Sequence, residues 1–216
     1  MKAIIIGAGG YAKEIYFLLN NSAYDVIGFI DDSPSLLGKK VLGKPVLGNR
    51  QYIENIKEET AVFIGVASPI VRKHFYKDLQ KNKYIIYPNI VSPYALIGKN
   101  IEMGIGNVIM PYTTFTADIS LGDFNMVNLH STIGHDTKIG NYNTIFPSVN
   151  VSGNCVIGDM NEFGIGTKII PNLSIGTEVI TGAGSVVITD LNDFTKNVGV
   201  PTQIIKNKEE RCDRVY

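Results

Sequence analysis

Three histidines occur in the 216 residues, His74, His130 and His135. One of them has an acid as its immediate neighbour, in the run Ser131-Thr132-Ile133-Gly134-His135-Asp136. An imidazole beside a carboxylate is a candidate general base, because the acid fixes the tautomer, raises the basicity and stabilises the imidazolium that forms. On a solvated loop the same pair would have no role, so its meaning depends on what holds it. A second group of residues opens the chain. Gly7 and Gly9 with Ala12 fit the phosphate-binding pattern GxGxx(G/A), and Asp31 and Asp32 follow about twenty residues later. Backbone amides at a helix start can hold an anion there, and an acid ending the second strand can accept from a ribose or a base. A purely structural glycine turn is the other reading of the same residues.

The elements that must position these groups are legible in the spacing. An aliphatic or aromatic residue stands at every sixth position from Val91 to Ile175. Neither a helix nor an ordinary alternating strand keeps that register, so the chain is expected to coil as a hexapeptide β-helix. Glycine follows the apolar residue at Gly104, Gly122, Gly140, Gly158 and Gly176. That eighteen-residue spacing makes three hexapeptides one turn, with the same corner recurring at the glycine. Residues two before the apolar one are small or short, among them Asn107, Thr113, Asn125 and Cys155, as a narrow interior demands. Counted from inward Ile133, His135 and Asp136 fall at or beside a corner, where both can face outward. The column breaks at Thr181, ahead of Gly182-Ala183-Gly184-Ser185.

The first 85 or so residues read as a small α/β unit. Strands are expected over 2–6, 24–30, 61–66 and 84–86, a helix from the glycine turn to about Asn20, and another from Pro69 to about Lys81. The unit is too short for the second half of a dinucleotide fold, so one nucleotide or sugar nucleotide is the expected ligand.

Twenty basic and twenty acidic residues balance, which points away from nucleic acid and membrane-surface partners. An apolar content of 44% suffices for a core in each half. No stretch approaches eighteen apolar residues and glycines interrupt MKAIIIGAGG, so no membrane insertion and a cytoplasmic location are expected. Cys155 is expected in the coil interior and Cys212 in the mixed-charge tail, a poor pairing for a disulfide.

With these motifs in view, the chain apart from its last fifteen residues resembles the sialic acid O-acetyltransferase and bacterial amino-sugar N-acetyltransferase family. That family includes the bacillosamine-pathway and perosamine N-acetyltransferases. IIIGAGGYAKE at 4–14, FIDD at 29–32, HSTIGHDTKIG at 130–140, VSGNCVIG at 151–158, IGTEVITGAGSVV at 175–187 and VGVP at 198–201 carry the likeness. The resemblance implies an α/β Rossmann-like domain over 1–88, a left-handed parallel β-helix over 89–190 and a C-terminal extension over 191–216. It also implies acetyl-CoA as co-substrate, no metal, no acetyl-enzyme and a homotrimer.

Residue by residue, the resemblance makes His135 the catalytic base and Asp136 the acid that tunes it. Gly153 becomes a backbone contact to the thioester, and Ile165, Gly182 and Ala183 the wall of an acetyl-CoA groove, closed by Gly199-Val200-Pro201. Thr144 stands where several relatives place a second active-site histidine, and Tyr11 where many have histidine. Gly9, Gly10, Tyr11, Asp31, Asp32 and Gly65 match contacts to a nucleotide-linked amino sugar. Two acceptors remain open at this point: the amine of a nucleotide-linked amino sugar, or a hydroxyl of sialic acid or a similar sugar. A zinc hydratase of the β-helix type needs three converging histidines, and only His130 and His135 lie on the coils. A non-catalytic scaffold is the third class.

Overall fold

A computed structural model describes residues 1–20 and 22–207, in two compact units, Met1–Ile90 and Val91–Tyr216. Residues 208–216, with Cys212 and most of the charged tail, lie outside the described residues. Among the described residues no helix is long and apolar enough to cross a membrane.

In the first unit, β1 (Lys2–Ile6) leads through α1 (Gly10–Leu19) to β2 (Asp25–Ile30). Then come β3 (Lys40–Val41), β4 (Lys44–Gly48), α2 (Arg50–Glu54), β5 (Thr60–Ile64), α3 (Pro69–Leu79) and β6 (Ile85–Ile86). The sheet order is β3-β4-β2-β1-β5-β6, parallel except for the β3/β4 hairpin. Buried Ala3 to Ile6 and Thr60 to Ile64 explain why the two central strands read as apolar runs. The hairpin and α2 escaped the sequence reading because Pro45 and Gly48 interrupt the five residues of β4, its hairpin partner β3 has only two residues, and α2 is barely more than one turn.

The second unit is a prism of stacked coils. Thr114 pairs with Thr132, Thr132 with Asn150, Asn150 with Lys168 and Lys168 with Val186, all parallel, so one coil is eighteen residues. The apolar column is buried from Ile109 to Ile175 and resumes at Val187. Thr181, where it breaks, is buried too, and its hydroxyl lies 2.9 Å from that of Thr167. The column is not buried along its full expected length. Val91 and Ile97 are 39% and 36% exposed. They belong to the first turn, which has a coil on one side only.

Two further readings change. The corners are not at the glycines: a positive φ recurs every six residues from Asn100 to Gly184, and most of the residues there are not glycine. Gly122 is required instead by close stacking, since a Cβ there would stand 2.5 Å from Asn141 Oδ1 and 2.8 Å from Gly140 O. The coil also outlasts the periodic column. Thr195–Val198, expected within the extension, pairs in parallel with Ile180–Thr181, and Gln203–Asn207 returns antiparallel to it.

The small inward positions are fully buried and hydrogen-bonded along the axis. Asn107 Oδ1 accepts from Asn125 N, Asn125 Oδ1 from Asn143 N, Asn143 Oδ1 from Asn161 N, and Asn161 Oδ1 from Val179 N, at 2.7–2.9 Å. This ladder satisfies backbone donors that would otherwise be orphaned inside the prism.

Candidate active site

The positive-φ corners form three edges. One carries Asn100, Asp118, Asp136, Asn154 and Asn172, the second Gly106, Phe124, Tyr142, Met160 and Glu178, the third Tyr112, His130, Ser148, Gly166 and Gly184. Because residue 136 turns the corner, His135 and Asp136 leave the alternation of the strand and point outward together. Their side chains are 66% and 60% exposed, and His135 Nδ1 lies 2.7 Å from Asp136 Oδ2. An ionised carboxylate only accepts, so Nδ1 carries the proton and Nε2 presents a bare lone pair.

What lies under that lone pair is Gly153. A Cβ on residue 153 would stand 2.6 Å from Nε2 and 2.7 Å from Cε1, so glycine is what lets the ring lie against the next coil. Gly134 completes the approach: its own Cβ would meet Gly153 N at 2.5 Å. The sequence reading missed this partner, although its spacing from Gly153 is one residue more than a coil. Asn154 N donates to His135 O at 2.7 Å, which ties the coil of His135 to the one below.

The other expected groove residues lie on a different edge. Ile165, 56% exposed, precedes the Gly166 corner, and Gly182 and Ala183 precede Gly184. Gly184 N donates to Ile165 O at 2.7 Å, and a Cβ on Gly184 would meet nothing within 4 Å. That edge is bare at its end. One chain therefore does not bring His135 and the expected acetyl-CoA wall together; the face carrying Thr132, Asn150, Lys168 and Val186 separates them. Thr144 lies on the third face and is fully buried, so its hydroxyl is not displayed on an open surface of this chain. His130 stacks on Tyr112, which stacks on Tyr94, in an exposed ladder along the third edge.

In the first unit Gly9 caps α1 without a side-chain partner, and neither Gly9 nor Gly10 has any group within 4 Å of a would-be Cβ. The backbone at the start of the helix is thus open to close approach by a ligand, as an anion site requires. The order of the strands reverses beside β1, the usual crevice for a ligand in an open α/β sheet. Gly65 has a packing reason instead: its Cβ would stand 2.7 Å from Ala12 Cα. The Tyr11 hydroxyl is buried without a hydrogen bond, and burial pushes its pKa far above the usual phenol value.

Both acids are engaged by the protein itself. Asp31 accepts from Ala8 N through Oδ2 and from Ser33 N through Oδ1, each at 2.9 Å, and so braces the glycine turn. Asp32 accepts from Arg50 Nε at 3.0 Å and Nη2 at 2.7 Å, while Arg50 Nη1 reaches Asp78 at 3.1 Å. Partial desolvation would raise the Asp32 pKa, but the hydrogen bonds and charge of Arg50 outweigh it and hold the carboxyl below its usual value. Nothing in the sequence around Arg50 announced this pairing. Among the described residues no group of three His, Cys, Asp or Glu could hold a metal ion.

Residues 2–79 match the family model described as PglD N-terminal domain. No curated protein sequence matches the chain. Among solved structures, the acetyltransferase domain of PglB from Neisseria gonorrhoeae, in complex with acetyl coenzyme A, is 27% identical with a TM-score of 0.89. The alignment covers 94% of this chain and 98% of that one. PerB from Caulobacter crescentus, in complex with CoA and GDP-perosamine, is 27% identical with a TM-score of 0.86, over 95% of this chain and 98% of that one. WeeI from Acinetobacter baumannii is 29% identical with a TM-score of 0.87, over 95% of this chain and all of that one. The likeness spans both units, a Rossmann-like one and a left-handed parallel β-helix.

Proposed function

We infer, from its likeness over both units to PglB acetyltransferase and perosamine N-acetyltransferase structures, that this chain is an acetyltransferase that moves the acetyl group of acetyl-CoA onto the amine of a nucleotide-linked amino sugar. The observation that carries the chemistry is His135 Nε2, left bare by Asp136 and seated over Gly153. The first unit supplies nucleotide recognition, with its phosphates on the amides of Gly9, Gly10 and Tyr11. The amine attacks the thioester carbonyl, His135 takes one of its protons, the C–S bond breaks and the proton passes on to the coenzyme A thiolate. Gly153 N donates to no carbonyl among the described residues and is assigned to the developing oxyanion. No acetyl-enzyme and no metal are needed.

The exposure of His135 calls for a second wall. A homotrimer supplies it by bringing the bare edge of a neighbour, with Ile165, Gly182 and Ala183, against the His135 edge. The enzyme is placed in the cytoplasm, where acetyl-CoA and nucleotide sugars are made.

The test is thiol release from acetyl-CoA with a panel of UDP- and GDP-linked 4-amino-4,6-dideoxyhexoses and free sialic acid. Wild type should turn over an amino sugar nucleotide, and His135→Ala should lose about 10²–10⁴ in rate. Transfer by His135→Ala within a few-fold of wild type would remove His135 from its role. Turnover of sialic acid alone would move the reaction to oxygen.

A further inference from the structure

The edge that carries Tyr112, His130, Ser148, Gly166 and Gly184 changes character partway down. Its upper part is a stack of exposed rings, Tyr94 on Tyr112 with centroids 6.1 Å apart and Tyr112 on His130 at 5.1 Å and 15°. The stack ends at His130, because the next corner is Ser148 and the two after it are glycine. A spacing of 5.1 Å is close to the rise of one coil, roughly 4.8 Å, so the imidazole lies across the prism axis and presents its rim sideways. The ring is exposed, and neither nitrogen has a hydrogen-bond partner among the described residues. Its direction is set by the tyrosine alone.

Height along the prism is set by sequence. Thr114 pairs with Thr132 and Thr132 with Asn150, so eighteen residues descend one coil, roughly 4.8 Å. The corner at Asp136 comes six residues after His130 and twelve before Ser148, which puts it roughly 1.6 Å below the one and 3.2 Å above the other. Gly166 and Gly184 are lower than Asp136 by roughly 8 and 13 Å. Rotation about a three-fold axis leaves height along that axis unchanged. In a trimer whose prisms run along the axis, the edge that closes the His135 site therefore meets it at the height of His130, and the bare part of that edge lies below.

We propose that His130 of the partner subunit belongs to the acceptor side of the His135 site, where its ring hydrogen-bonds a hydroxyl of the amino sugar; this rests on the acetyltransferase and trimer readings above. The division of the edge decides which substrate it meets. Acetyl-CoA needs the room that glycine leaves and lies along the lower part, so its acetyl group reaches His135 from below. The amine then comes from above, on the side of the aromatic rings. A neutral imidazole has one donor and one acceptor nitrogen, and a sugar hydroxyl can use either. Stacking on Tyr112 orients the ring beforehand, so little freedom is lost when the sugar binds. Proton transfer stays with His135, whose Nδ1 is held by Asp136.

The experiment uses the full chain and the nucleotide-linked 4-amino-4,6-dideoxyhexose that wild type turns over. His130→Ala should raise its KM roughly 3- to 10-fold, the range of one hydrogen bond lost, and leave the KM for acetyl-CoA and the melting temperature unchanged. His130→Gln, which keeps a donor and an acceptor, should recover most of the loss. The decisive sample is wild type co-assembled with an excess of chains that carry both His130→Ala and His135→Ala. Every active site there uses a wild-type His135, and most of the neighbours lack His130. A sugar KM equal to that of His130→Ala supports the proposal, whereas the wild-type KM would mean that His130 does not act across the interface and overturns it. With an excess of His135→Ala chains instead, His130 is present on every neighbour and the KM should be that of wild type; a raised KM there overturns the assignment to His130. An unchanged sugar KM in His130→Ala, or a rise in the KM for acetyl-CoA in its place, overturns this inference alone. Wild type that acetylates no amino sugar overturns the functional reading and this inference with it.

Discussion

His135 Nε2 occupies the space that a side chain on residue 153 would fill, 2.6 Å from where its Cβ would stand. The base and its neighbouring coil are therefore one construction, and each constrains the other.

Gly153→Ala tests that construction. The atoms in the way belong to the tip of a side chain, so the ring can swing aside and the prism should fold. The cost falls on alignment, where a displacement of about 1 Å is worth roughly 10²-fold. Steady-state kinetics should show a fall in kcat of that order with an unchanged melting temperature. A large drop in melting temperature would mean that the backbone, and not the ring, had yielded.

Asp136→Asn leaves the geometry but loosens the tautomer. An amide can donate to Nδ1 as easily as accept from it, which would place the proton on Nε2 in part of the molecules. Turnover should fall roughly 10²-fold, within what a general base supplies, while the KM for acetyl-CoA stays within a few-fold.

How much of this could be read from residues alone divides along physical lines. The coil length and the buried column follow from a period that only stacked coils satisfy, and the small interior positions such as Asn125 and Thr137 follow from the space available. The corners were misplaced because a left-handed backbone conformation accepts Tyr112, Phe124, Asp136 and Met160 alike once stacking holds it; no residue type marks it. Gly122 looked like a turn and is a spacer. For the site, His135 and Asp136 were visible as neighbours, whereas Arg50 and Asp32 are eighteen residues apart and meet only through the β4-α2 fold.

Asn125→Ala probes the interior ladder. Asn125 Oδ1 accepts from Asn143 N and Nδ2, and its own Nδ2 donates to Gly140 O at 2.9 Å. Truncation leaves buried partners without hydrogen bonds, at about 1–3 kcal/mol for each. Thermal unfolding should show a fall of several degrees, with His135 chemistry intact in the molecules that remain folded.

The Arg50 and Asp32 pair gives a pH signature. A carboxyl whose folded pKa lies below its unfolded value contributes stability that is present above the unfolded value, about 3.9, and is lost as pH falls through the folded one. Both side chains are about two-fifths exposed, so the contribution is about 1 kcal/mol at most. The difference in stability between wild type and Arg50→Ala should be steady from pH 5 to about pH 7 and close up below roughly pH 3. A gap that persists unchanged at low pH would mean that Arg50 acts by packing on Phe75, 4.9 Å from its guanidinium carbon.

Cys155 should be chemically silent. It is fully buried, and burial raises its thiol pKa above the usual value. In a Cys212→Ser background, a disulfide reagent at pH 8 should label no thiol in the native protein and one after denaturation. Rapid native labelling would mean that the coil opens at residue 155.

The axial ladders also set how the molecule comes apart. Hydrogen bonds that run from coil to coil are lost one rung at a time, and the rungs at the two ends have a neighbour on one side only, as the exposed Val91 and Ile97 show at the first. Fraying should therefore travel inward from both ends, like thread leaving a spool. The coil that carries His135 has paired coils above it and below it, through Thr114 and Asn150, so its amides should be among the last to exchange with deuterium, and catalysis should outlive the first losses of structure on heating.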